Sequence, residues 1–286
     1  MKVINLQQGS REWLSFRRSK IMASDTPIIL GKSPYCSPFT LWQRKLGLTP
    51  EQEETPAMRR GKDLEPIARG QFCCQFGIEM TPLVVESDDL PWMAASLDGY
   101  SKIDNSILEI KCNGKKNHDI ALGGEVPESH WLQMQHQMYV SGVQLGYYYS
   151  FDGEEGITIE VKFDPDAFNA IIPALYQFWR GLILLEPPAL TEGDYKDMAT
   201  DTNWQRLANR YTELDQVIKW KEKEKDDVRR QLIQLCGDNN CKGSGIKLLK
   251  TLTKGKIPYS EIEEIKAMDL EPHRKDSTTS WRVYVE

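Results

Sequence analysis

The chain is poor in the residues that build thiolate and imidazole metal sites, with six cysteines and four histidines in 286 residues. Cys36, Cys73, Cys74, Cys112, Cys236 and Cys241 make no C-x-x-C pair, and the histidines fall without metal-ligand spacing. That argues against a zinc or iron–sulfur centre and predicts reduced, structural thiols. No run approaches the roughly 18–20 apolar residues of a membrane span. Residues 1–8 lack the apolar core of a signal peptide. Internal repeats and low-complexity tracts are absent from the sequence as well. These absences predict a protein that stays in the cytosol.

What is present is ordinary globular material, 40% hydrophobic and 27% charged. The net charge of −6 does not exclude a polyanionic partner, because clustered carboxylates can coexist with a local basic channel. The charge is uneven. Residues 204–286 hold 17 Lys and Arg against 14 Asp and Glu, whereas the preceding residues hold 19 against 28. This shift marks a boundary near residue 200, with a core over 1–200 and an appendage over 203–286.

Hydrophobic spacing predicts helices over 10–18, from Ser24 to about Gly31, and from Ser37-Pro38 to Gly47. A charged loop over 49–56 precedes a long helix from Pro56 to Phe76, capped by Gly77 and containing Glu65. Strands are expected at 83–85, 92–96 and 107–112, the last two joined through Asp98-Gly99-Tyr100 and a turn at Asp104-Asn105. A helix over 129–140 and a hairpin of 146–151 with 157–161 follow, then a helix over 166–185. The order predicts an α/β domain with one central mixed sheet flanked by helices. Beyond 203, Leu207, Tyr211, Leu214 and Ile218, then Val228, Leu232 and Leu235, recur at helical spacing. The charged run 219–230 between them reads as a solvated face, an antiparallel helix partner or a DNA-tracking stripe. The appendage is thus a long helix or helical hairpin, followed by short strands at 246–252 and 281–285.

The richest stretch is Ile107-Leu108-Glu109-Ile110-Lys111-Cys112. Side chains of a strand alternate between faces, so Glu109 and Lys111 share one face while Leu108 and Ile110 enter a core. With Asp98 shortly before, the set offers carboxylates for a divalent cation and a lysine to hold or polarise water, the parts needed to hydrolyse a phosphodiester. Taken singly, each residue has a plainer reading. Glu65 can be a solvated helix charge, Asp98 a turn residue, Glu109-x-Lys111 a surface ion pair, and Gln133 nothing in particular. Spacing and order together match the PD-(D/E)xK nuclease core, a restriction-endonuclease-like fold, with Leu97 where the usual proline stands.

Residues 9–185 resemble the YqaJ-like viral recombinase family, which includes phage exonucleases. The likeness rests on the stretch from Arg17 to Ser24, Ala57-Met58-Arg59-Arg60-Gly61-Lys62-Asp63-Leu64-Glu65, Ser96-Leu97-Asp98-Gly99, Leu108-Glu109-Ile110-Lys111, and the segment from Gln133 to Val140. The resemblance implies an enzyme that degrades one strand of linear duplex DNA from the 5′ end, releasing nucleotides and leaving a 3′ single strand for recombination. It implies Asp98, Glu109 and the carbonyl of Ile110 as ligands of Mg²⁺ or Mn²⁺, two ions per site, with Glu65 contributing directly or through water. Lys111 would position and help deprotonate the attacking water, and Gln133 would orient Lys111 or the water. Arg17 and Ser24 would bind the terminal 5′ phosphate, with Arg18 and Lys20 as neighbouring competitors. Met58 would be the wedge that splits the duplex. Further implications are a homotrimeric ring, a single-strand annealing protein as partner, and a phage or prophage gene expressed in a bacterial cytoplasm. The alternatives are an endonuclease on the same core, of restriction or repair type, and a DNA-end-binding module with an idle site.

Overall fold

The computed structural model describes residues 1–6, 9–49, 55–112 and 114–255, with positions 257, 262 and 275. Among these, seven strands form one mixed sheet in the order β1-β3-β4-β5-β6-β7, with β2 pairing to β4. The strands are β1 (Lys2–Val3), β2 (Ile21–Met22), β3 (Thr81–Glu86), β4 (Met93–Ser101), β5 (Ser106–Lys111), β6 (Leu145–Phe151) and β7 (Gly156–Lys162). Neighbours β3, β4 and β5 are antiparallel, whereas β5 and β6 run parallel. A parallel pair needs a crossover, and α5 (Lys115–Leu122) and α6 (Glu128–Ser141) supply it.

Local chemistry sets the helix ends. Ser10 caps α1 (Arg11–Ser19) by accepting from Trp13 N at 3.1 Å. Ser37 does the same for α3 (Pro38–Lys45), and Thr55 for α4 (Pro56–Phe76), each followed by proline in the first turn. Gly77 ends α4 at φ 67°, a left-handed conformation that glycine adopts without steric cost. The expected helix from Ser24 is shorter. Ala23–Asp25 is a 3-10 turn, followed by α2 (Thr26–Ile29). Asp25, not Ser24, is the capping side chain there, and it accepts from Met22 N at 2.8 Å.

Two apolar cores sandwich the sheet. Ala68 and Phe72 of α4 pack on Leu108, Ile110, Tyr149 and Phe151. The larger core joins the opposite face to α3, α6 and α7 (Pro165–Leu184), through residues such as Met93, Leu97, Ile107, Met134 and Phe168. Gly146 permits this close seating: a Cβ there would lie 2.9 Å from Met134 and 3.2 Å from Ile107.

The chain divides into two units, Met1–Lys196 and Asp197–Glu286. The second contains α8 (Thr202–Cys236), a single uninterrupted helix rather than a hairpin, capped by Asp201 at its start. It also holds a small antiparallel pair, β8 (Cys241–Gly243) with β9 (Ile246–Leu248). The strand expected over 246–252 thus stops at Leu248, and the one expected over 281–285 lies outside the described residues.

His136 is fully buried in α6 with Nδ1 2.7 Å from Thr26 Oγ1. Burial pushes its pKa down to about 3, with Lys45 acting the same way against Asp25. Below the ordinary imidazole value of about 6.5 the unfolded chain takes up a proton that the folded chain refuses, so stability should fall as pH drops toward 3, by up to about 1.4 kcal/mol per pH unit. Urea denaturation at pH 7, 5 and 4 should show this slope, and a His136→Gln variant should show a shallower one.

Candidate active site

Strand β4 carries one extra residue where it faces β3. Thr81 pairs with Tyr100 and Leu83 with Leu97, so two steps along β3 match three along β4. Such a bulge re-aims side chains and bends the strand. On the other edge, pairing of β4 with β5 runs from Ser101↔Ser106 to Gly99↔Leu108 and stops there. Asp98 is the next residue. Its Oδ2 accepts from Ile110 N at 2.8 Å, so a carboxylate satisfies an amide that the ladder has released. Asp98 therefore lies inside a strand that runs on past the expected end at Ser96, and the plainer reading of a turn residue does not hold. Leu97, standing in the usual proline position, is buried in the larger core.

Glu109 is 1% exposed, which removes the reading of a surface ion pair. Its Oε1 accepts from Gln133 Nε2 at 2.7 Å and its Oε2 from Gln137 Nε2 at 2.6 Å. Lys111 closes the arrangement with an ion pair to Glu109 and a 3.3 Å hydrogen bond from Nζ to Gln133 Oε1. Gln137 also donates to the Ser96 carbonyl at 3.1 Å, tying helix α6 to β4 and β5 together. Glu65 on α4 faces the same place. It accepts from Arg69 Nη2 at 2.5 Å, and Arg69 Nε donates to the Asp98 carbonyl at 2.7 Å.

The electrostatics follow from crowding anions in a poorly hydrated place. Burial raises the Asp98 carboxyl well above its ordinary range, and the nearby Glu109 and Glu65 add to this against Lys111 and the Ile110 amide. Lys111 is a protonated cation: burial works to lower its pKa, but Glu109 and Asp98 outweigh it and raise the value. Cys112, next in line, is pushed up to about 11 by burial and then by Glu65 and Asp98, so its thiol stays neutral.

These groups line one cleft of about 470 Å³. Asp98, Glu109, Ile110, Lys111, Gln133 and Glu65 meet there with Arg17, Ser24 and Met58. The structure thus brings together every site residue that the sequence singled out. Arg17 stacks over Trp13 at 4.5 Å and donates to Ser24 Oγ at 3.1 Å. Of its competitors, Lys20 is engaged with Glu86 and the Pro91 carbonyl. Met58 projects from the first turn of α4, 42% exposed rather than packed in the core. Among the described residues no three His, Cys, Asp or Glu side chains converge closely enough to hold a metal by themselves. Sequence reasoning missed Gln137 as a site residue. Its signal was the four-residue spacing from Gln133, which places both amides on one helix face.

Residues 12–144 match the model of the YqaJ-like viral recombinase domain. The particular relatives include YqaJ of Bacillus subtilis (strain 168), 28% identical over 186 residues, which are 63% of this chain and 58% of that protein. A protein of Acanthamoeba polyphaga mimivirus is 25% identical over 154 residues, 49% of this chain and 28% of its own length. The chain therefore spans less than two thirds of either curated relative. Among solved structures, the LHK-Exo complex with dAMP shares the fold at a TM-score of 0.55 and 24% identity, covering 62% of this chain and 94% of that one. A second structure, of the alkaline exonuclease LHK-Exo from Laribacter hongkongensis, aligns at 0.54 and 25% identity over the same shares, 62% and 94%.

The buried carboxylate makes a prediction about Gln137. Truncation to alanine leaves Glu109 Oε2 without its donor, so Gln137→Ala should destabilise the fold by about 1–3 kcal/mol in chemical denaturation. A midpoint equal to that of the parent chain would contradict this reading of the amide.

Proposed function

We propose that this chain is a metal-dependent exonuclease that resects one strand of linear double-stranded DNA from its 5′ end. It releases nucleotides and leaves a 3′ single strand for annealing and recombination. The observation that carries the reading is the shared cleft, which joins the acid–acid–lysine set to Arg17, Ser24 and Met58. A hydrolytic site alone fits many nucleases, whereas a guanidinium beside it provides a clamp for a terminal phosphate.

The donor chemistry fits a hard divalent cation. Asp98 and Glu109 repel each other in a poorly solvated place, and a positive charge between them relieves that repulsion. Asp98, Glu109 and the Ile110 carbonyl would hold Mg²⁺ or Mn²⁺, two ions in the full site, with Glu65 contributing directly or through water. When bound, such ions supply Lewis-acid stabilisation of the attacking and leaving oxygens. The chain's own residues do the rest. Lys111, a cation in this state, donates to the phosphate and orients water. Its proton is held by the charges of Glu109 and Asp98, so those carboxylates must be neutralised before Lys111 can release that proton to solvent and take one from water. Gln133, bonded to both Glu109 and Lys111, keeps the two side chains in register. Arg17 and Ser24 bind the 5′ phosphate, and Met58 wedges between the strands. The homotrimeric ring, the annealing-protein partner and expression from a phage or prophage in a bacterial cytoplasm belong to the same proposal.

The test offers the protein Mg²⁺ with 5′-phosphorylated linear duplex or closed circular duplex. Nucleotides should leave the 5′ end of the linear substrate alone. Loss from the 3′ end contradicts the proposed polarity, and steady cutting of the circle favours an endonuclease. Lys111→Ala should slow hydrolysis by about a hundred- to a thousandfold while circular dichroism stays that of the parent. Arg17→Ala should erode the preference for a 5′ phosphate over a 5′ hydroxyl, and an unchanged preference would remove Arg17 from the end-binding role.

A further inference from the structure

Helix α8 runs for 35 residues and buries none of its side chains fully. An isolated helix gains little stability without packing for an apolar face, and α8 has such a face. Trp204, Tyr211, Ile218 and Leu232 recur at one position of a seven-residue repeat. Leu207, Leu214, Val228 and Leu235 recur at the position three residues further on. The alternating steps of three and four hold from 204 to 235, with Lys221 and Lys225 completing the stripe in the middle. Apart from a half-buried Leu232, the apolar residues of the stripe are open to solvent, from Leu214 at 44% to Leu235 at 85% exposure. A repeat of about 3.5 residues kept over more than four turns of seven is the pattern of a left-handed supercoil.

The flanking charges say which partner fits. We propose that α8 pairs in parallel and in register with α8 of a second copy of this chain. In that arrangement the residue before one seam position faces the residue five further along the other helix. Arg210 then meets Asp215 of the other copy and Glu224 meets Arg229, two complementary pairs, with Val217 opposite Glu222 between them. Glu222 and Glu224 border the two seam lysines, which lowers the cost of bringing Lys221 and Lys225 to a shared axis. Within one chain, Arg210 rests on Glu213 at 3.1 Å and Glu224 on Lys221 at 2.8 Å, exposed pairs that are worth little and are readily exchanged. The seam is isologous and uses α8 alone, so it joins copies through a surface other than the core that the proposed ring would use. The lysines interrupt the apolar stripe at one place and so fix the register. This pairing stands or falls independently of the nuclease reading.

Cysteine cross-linking of the full chain tests it. Val228→Cys places a thiol on the seam, and Asp226→Cys places one on the outer face of the same turn. Under mild oxidation V228C should form a covalent dimer severalfold more readily than D226C or the parent chain. R210D and D215R should each lower that yield in the V228C background, and the two together should restore it. Equal yields at 226 and 228, or a charge exchange that fails to restore cross-linking, would overturn the parallel self-pairing and assign the stripe to another occupant.

Discussion

Glu109 is a carboxylate placed where water hardly reaches it, and the arrangement around it follows from that constraint. An ionised group so deeply buried is costly unless donors surround it. The chain supplies three: the amides of Gln133 and Gln137 and the ammonium of Lys111. Two of them come from α6 and one from β5 itself. Satisfying one charge therefore fixes the rotation of α6 over the sheet. That rotation in turn aims Met134 and Met138 into the apolar core beside Ile107. The same bonds leave Lys111 facing the cleft, in contact with Gln133.

The second constraint is the place where β4 and β5 separate. An antiparallel ladder continued past Gly99 would have consumed the Ile110 amide. The bulge opposite β3 and the end of pairing at Gly99 instead let the Asp98 side chain take that bond. The consequence is two carboxylates from adjacent strands at the mouth of one cleft, with the Ile110 backbone between them. Glu65 and Arg69 reach this mouth from α4 on the other side of the sheet. The site is thus built from strands β4 and β5 with α6 and α4, the two helices held on opposite faces of the sheet by the two cores.

Much of this was legible in the sequence because it depends on periodicity and caps. Pro56 and Gly77 bound α4 as expected, and the alternation in β5 separated Glu109 and Lys111 from Leu108 and Ile110. The joint spacing of Asp98, Glu109 and Lys111 located the cleft. Other parts left no comparable trace. Strands β1 and β2 are two residues each, too short to show a period, and exist only because a longer neighbour pairs with them. Helix α5 carries glycine and charge around a weak apolar pattern. The bulge at Asp98 is a property of two strands in register and cannot be read from one. Gln137 was overlooked because α6 is buried on most sides, which hides the amphipathic contrast that normally separates polar function from core. In α8 the spacing was visible, but only the continuous helix joined both apolar runs into one seam.

In the proposed function the opened β4–β5 edge is an anionic cradle for a hard divalent cation. Calorimetric titration of the full chain with Mn²⁺ tests it without any assay of turnover. Saturable binding to the parent chain that is lost in both Asp98→Asn and Glu109→Gln, with the folded state preserved, is the predicted result. Unchanged Mn²⁺ binding in those variants, or no binding to the parent chain, would contradict the account.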